Sequence, residues 1–260
     1  MALQRAILAF ALIVILVPGA RAEEHRLDAF AKTITPFLGI FAENRKTPHR
    51  AFTLKVRIEQ GTDIPTALAN VAAELTVQVP DQLRISAPVL GETFTLVRDG
   101  EKVWIHPGGK ARALLDGTIA GKDLPAAEKK FQLSAFKLPF NDKELNFLPA
   151  LFSVKDVGYQ TLDGVKCRVE DVTLMPELAK SLESGGWVAR LWISPDHKPV
   201  RLTIARKGWN VVLRFDDVQF AKELPEETWK PTPEQADDIL KLEPKEYSRF
   251  LRGINRLSAP

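Results

Sequence analysis

The residue types that could carry chemistry are few in this chain, and their spacing does not bring them together. The histidines are His25, His49, His106 and His197. No two lie three or four residues apart, the spacing that sets two imidazoles on one helix face around a metal. Cys167 is the only cysteine, so no internal disulfide can form. A catalytic thiol needs a base beside it, and the strand-like run Val165–Val169 supplies none, so Cys167 reads as a small buried residue. Asp216–Asp217 and Glu226–Glu227 are acidic pairs. Neighbours in a strand point to opposite faces, so Asp216 and Asp217 cannot line one site, and both pairs read as solvated charge. Gly108-Gly109-Lys110 follows His106-Pro107 without phosphate-loop spacing. The chain also lacks a G-x-S-x-G elbow and a dinucleotide fingerprint. The expectation is a protein that is not an enzyme, with no catalytic residues, no metal and no cofactor.

What the sequence has in quantity is apolar periodicity. Phe52, Leu54, Val56 and Ile58 alternate with Thr53, Lys55 and Arg57, the period of a half-buried strand. Leu75, Val77 and Val79 repeat it, then Leu83 and Ile85, then Phe94 and Leu96. Arg98-Asp99-Gly100-Glu101 and Leu162-Asp163-Gly164-Val165 are hairpin turns. Residues 187–217 predict a three-strand antiparallel meander. Its dry face holds Ala189, Leu191, Ile193, Val200, Leu202, Ile204, Val211, Leu213 and Phe215. Helical spacing appears at Leu27, Phe30, Ile34, Phe37, Leu38 and Phe41, with Pro36 predicting a kink or break. Asp142–Phe152, residues 176–184 and residues 232–257 also read as helical, the last broken at Pro244. About ten strands and a few helices in one domain are expected.

The first 22 residues read as an address. A basic start, an apolar run Ala6–Val17 and Ala20-Arg21-Ala22 have the layout of a secretory signal peptide, cleaved after Ala22. The run is too short to span a bilayer, which needs roughly 20 apolar residues. Cleavage removes Arg5 and Arg21, two of 36 basic residues, and leaves 34 against 33 acidic ones, a net charge of +1. Lysines and arginines alternate with acids throughout, so nothing points to nucleic acid, which selects clustered basic residues. A composition of 45% hydrophobic and 27% charged residues is that of an ordinary globular protein. A periplasmic location and a monomeric chain without a membrane span are expected.

Residues 50–107 also resemble a known family. Ala51–Val56, then Ala73–Ile85 with its Pro80-Asp81, then the hairpin Leu96–Pro107 containing Asp99-Gly100-Glu101-Lys102-Val103-Trp104-Ile105-His106 are similar in order and spacing to LolA, the periplasmic lipoprotein carrier, and its LolB- and RseB-type relatives. The late run Leu224-Pro225-Glu226-Glu227 and Trp229-Lys230-Pro231 is similar to the family's closing strands. The resemblance implies a mainly β (α+β) fold: a curled, incomplete antiparallel β-barrel covered by lid helices. It also implies a hydrophobic cavity that carries the acyl chains of a lipoprotein or another lipid, with membrane-bound donor and acceptor proteins as partners. Val79 departs from the family arginine that holds the lid closed, and His106 stands where an aromatic is common. The implied layout is a signal peptide at 1–22, a half-barrel domain at 23–231 and a C-terminal helical extension at 232–260.

Alternation and resemblance together nominate the lipid-binding positions Phe52, Leu54, Val56, Leu75, Val77, Leu83, Phe94, Leu96, Trp104, Leu191 and Leu202. Phe30, Ile34 and Phe37 are the lid. A slip of one residue in register would turn the whole set to the other face. The alternative function is an envelope sensing or scaffolding module of the same fold, with a protein partner on the 232–257 extension.

Overall fold

The computed structural model describes residues 28–42, 48–62, 70–89, 91–119, 135, 151–181, 186–243 and 246–247. The expected leader, most of the helix expected over Asp142–Phe152, and the end of the C-terminal extension lie outside the described residues. The elements are α1 (Asp28–Phe41), β1 (Ala51–Gly61), β2 (Ala72–Gln78), β3 (Gln82–Val89), β4 (Glu92–Asp99), β5 (Lys102–His106), α2 (Gly108–Ile119), β6 (Phe152–Leu162), β7 (Val165–Leu174), α3 (Pro176–Ser181), β8 (Val188–Ile193), β9 (Pro199–Arg206), β10 (Trp209–Ala221), α4 (Pro233–Ala236) and β11 (Leu240–Leu242).

All eleven strands join one antiparallel sheet in the order β11-β5-β4-β3-β2-β1-β10-β9-β8-β7-β6. The sheet is open: β11 and β6 are its edges and do not pair with each other. It is also curled. A helix of 14 residues is about 21 Å long, whereas seven strands laid flat span about 29 Å. Yet α1 shares its apolar clusters with strands from β2 to β6, seven neighbours in the sheet. The sheet must therefore bend around the helix. On the opposite face the turn residue Asp163 lies 2.7 Å from Arg214 on β10.

Helix α1 runs through Pro36 without ending, so of the expected kink or break the break does not occur. The helix loses one backbone hydrogen bond there. Burial of Phe30 and Ile40 on either side of Pro36 holds the two turns to the same surface. The hairpin turns fall where expected, with Gly100 and Gly164 at positive φ. Two sequence expectations are corrected. Phe152 starts strand β6 rather than ending a helix. The 232–257 stretch holds only the four-residue α4 before it becomes β11, which pairs Leu240, Lys241 and Leu242 with Ile105, Trp104 and Val103. Leu240 and Leu242 alternate with a polar residue, and the free edge of β5 offers backbone groups to a strand.

Candidate functional site

Directly opposed residues of an antiparallel pair share a face, so the registers sort every inward candidate. One row runs Leu54, Leu75, Ile85, Leu96, Ile105 and Leu240 across β1, β2, β3, β4, β5 and β11. The next row runs Phe52, Val77, Leu83, Arg98, Val103 and Leu242. Both rows lie on the face that carries α1, because Phe52, Leu54 and Val77 pack with Ile40 and Phe37. They also carry α2, because Val103 and Ile105 pack with Ala111 of that helix.

Among the described residues, the two helices thus stand on one face with a gap between them. Leu75 and Leu83 lie against the α1 cluster, and Leu96 and Leu240 against the α2 cluster. Between these walls Leu83, Ile85, Phe94 and Leu96 of β3 and β4 form an apolar groove floor. Ile85 at its centre is 38% exposed, and Leu83, Phe94 and Leu96 are half-buried. Ile85 continues the apolar row between two buried clusters with its side chain partly open.

The nominated positions divide between these environments. Leu75, Leu83, Phe94 and Leu96 lie on or beside the groove floor, and Val56 is half-buried at the α1 cluster. Phe52, Leu54, Val77, Leu191 and Leu202 are buried as core among the residues around α1. Of the lid residues, Phe30 is buried against Phe152, with ring centroids 5.4 Å apart. Phe37 stands edge-on to both Phe52 and Phe220 at 5.4 and 4.9 Å. Ile34 packs against the same core. Trp104 is corrected. It opposes Val97 and Lys241, on the face away from both helices. There its indole Nε1 donates to the Trp229 carbonyl at 3.1 Å in a cluster with Val97 and Trp229. Strand parity decides this: 104 is one residue out of step with Val103 and Ile105. Val200 likewise packs with Cys167, Val169 and Trp192, because the register shifts between Trp192 and Ile193. Ile85 is the floor residue absent from the nominated set, although the alternation that marks Leu83 marks Ile85 equally.

Among the described residues, the charged side chain in these rows is Arg98, buried beside Leu83 with its Nε donating to the Gly100 carbonyl at 3.0 Å. Cys167 is fully buried, and burial pushes its thiol up against the opposing pull of Arg214. Glu170 is a buried carboxylate opposite Leu191, held by Arg168 with Nε 2.9 Å from Oε1. Arg190 donates twice to Asp171, at 2.6 and 2.9 Å, and that bond holds the Asp171 carboxyl below its usual range. Among the described residues no group of three or more His, Cys, Asp or Glu is placed to hold a metal. No helix among them is long and apolar enough to cross a membrane.

No family model matches the chain, and no curated protein matches its sequence. Solved structures are similar to it. The lipoprotein LppX of Mycobacterium tuberculosis is 14% identical, with 78% of this chain and 99% of that one covered and a TM-score of 0.41. MucB is 15% identical, with 82% of this chain and 65% of that one covered at 0.42. A LolA superfamily protein of Nitrosomonas europaea is 11% identical, with 77% and 97% covered at 0.29. Likeness at this level assigns no ligand, and the groove's own geometry has to carry the functional reading.

Proposed function

We propose that this chain is a non-catalytic binder and carrier of lipid, holding an alkyl chain in the groove between α1 and α2. The observation that supports this most is Ile85, a large aliphatic side chain exposed at the centre of an apolar floor that helices wall on two sides. The resemblance of residues 50–107 to LolA points the same way and extends the reading. The chain is exported to the periplasm by a cleaved leader, works as a monomer, and exchanges an acylated lipoprotein or another lipid with membrane-bound donor and acceptor proteins. Its physics is burial: each methylene removed from water contributes about 0.8 kcal/mol, so a dozen give roughly micromolar affinity or better before ordering costs. Nothing in such binding needs a nucleophile or a metal.

The test is a fluorescence titration of the chain with dansyl-undecanoic acid, alongside Ile85→Glu. The parent is expected to saturate. The variant is expected to lose binding while keeping its circular dichroism and melting temperature, because Ile85 is open to solvent. Equal binding by both proteins contradicts the groove. Leu54 is a poorer probe, because it is packed beneath α1 and a charge there unfolds the protein.

A further inference from the structure

The apolar floor ends on a charge. Along β4 the inward side chains run Phe94, Leu96 and Arg98, each about 7 Å from the next. Arg98 opposes Leu83 of β3 and Val103 of β5, so it stands where the α1 cluster gives way to the α2 cluster. It is 4% exposed. Arginine is rarely buried to this degree, and a charge out of water is costly unless it is bonded. Its Nε bond to the Gly100 carbonyl draws the side chain toward the turn between β4 and β5.

Tyr247 brings a second polar group to this end. It is buried with Val103 and Leu242, the two residues that follow Arg98 in its row. Burial pushes its hydroxyl up, against the opposing pull of the Arg98 charge, so the phenol keeps its proton. A guanidinium presents five N–H donors and no acceptor, and a phenol adds one more donor. The end of the floor is therefore positive, rich in donors and shielded from water. Such a place favours an anion. Hydrogen bonds to a charged acceptor are about twice as strong as neutral ones, and apolar surroundings strengthen them further. The guanidinium need not be bare for this, because one planar fork serves several acceptors at once.

We propose that Arg98, with Tyr247 beside it, is the head-group determinant of the groove, and that the lipid it selects carries an anionic head, a carboxylate or a phosphate. The head lies at Arg98 and the tail over Leu96, Ile85 and Phe94. This assignment rests on the reading of the groove as a lipid site and narrows it. A neutral lipid, or an acyl chain whose carboxyl is tied up in an ester or amide, gains nothing from the arginine's charge. Head-in binding carries the head past Leu96 and out of water, where a buried arginine can meet it.

The experiment compares heads on one tail. Hexadecanoic acid, hexadecyl phosphate and hexadecanol displace a neutral naphthylamine probe from the parent at neutral pH. At least one anion is expected to displace it at about tenfold lower concentration than the alcohol, the worth of a charge-assisted hydrogen bond, and the better of the two anions identifies the head. Arg98→Met keeps the length of the side chain and removes its donors. It is expected to weaken the anions to the level of the alcohol and to leave the alcohol unchanged. Arg98→Lys keeps the charge and is expected to retain part of the preference. Equal displacement by all three ligands in the parent overturns the proposal with no variant needed. A preference that Arg98→Met retains overturns it as well, and so does a lysine variant as indifferent to the head as the methionine one. If neither the probe nor any of the three ligands binds the parent, the lipid reading itself fails.

Discussion

The half of the sheet from β6 to β10 and the half from β2 to β5 share one pleat and one apolar face, yet they end differently. In the first half α1 covers the inner face, and Leu191, Ile193, Leu202, Ile204 and Val211 are buried in one cluster with Phe30. In the second half Leu83 is the last residue against the α1 cluster and Leu96 the first against the α2 cluster, and Ile85 between them belongs to neither. The same alternation therefore yields a core on one side and a groove on the other. Among the described residues, a helix of fixed length covers only part of a sheet this wide.

The largest predicted contrast is in stability. Phe52→Ala, beneath Phe37 and Phe41, is expected to cost about 3–5 kcal/mol in urea unfolding, the usual cost of removing a buried aromatic. Leu83→Ala, on the half-exposed floor, is expected to cost under half as much. Equal losses would show the two halves to be one continuous core.

Gly108→Ala comes next. A Cβ there would sit 2.6 Å from backbone atoms of both Ile239 and Leu240. Backbone cannot step aside as a side chain can, so the substitution is expected to cost about 1–3 kcal/mol. It should also speed hydrogen exchange at the Leu240 and Leu242 amides while leaving β1 and β10 unchanged. Uniform acceleration across the sheet would show that β11 is not a separate unit.

The smallest effect belongs to the outer face. Replacing Arg190 by Ala is expected to cost no more than about 1 kcal/mol, because the pair with Asp171 is partly exposed. The pH dependence has a definite sign. Asp171 is held below its ordinary value by the Arg190 hydrogen bond. Its contribution is therefore present above the unfolded carboxylate value, about 3.9, and is lost as pH falls through the folded one. The parent's stability advantage over Arg190→Ala should shrink in acid and stay flat from pH 5 to 8.

Much of this arrangement was legible in the residues. Period-two alternation located the strands at Phe52–Ile58, Leu75–Val79 and 187–217, and Asp-Gly pairs located the turns. Alternation and the family resemblance together nominated Leu75, Leu83, Phe94 and Leu96, and the strand registers put them on one face. Three things were not legible. Trp104 followed the family pattern, but strand parity turns it to the opposite face, where its indole needs the Trp229 carbonyl. Val200 followed parity, but a register shift beside Ile193 carried it to the outer cluster. Leu240 and Leu242 sat in a stretch with helical spacing, and only the unpaired edge of β5, a tertiary fact, makes them a strand. The division of the inward set into core and groove depends on where a 14-residue helix ends relative to the sheet, and alternation carries no record of that.

The central claim is that the groove floored by Ile85 holds an alkyl chain. Native mass spectrometry of the chain, purified from its exported form without detergent, tests it most directly. The account predicts an adduct with the mass of a lipid, displaced by added fatty acid and missing from Ile85→Glu. A lipid-free parent that forms no adduct with added fatty acid, or an adduct that Ile85→Glu retains in full, would contradict it.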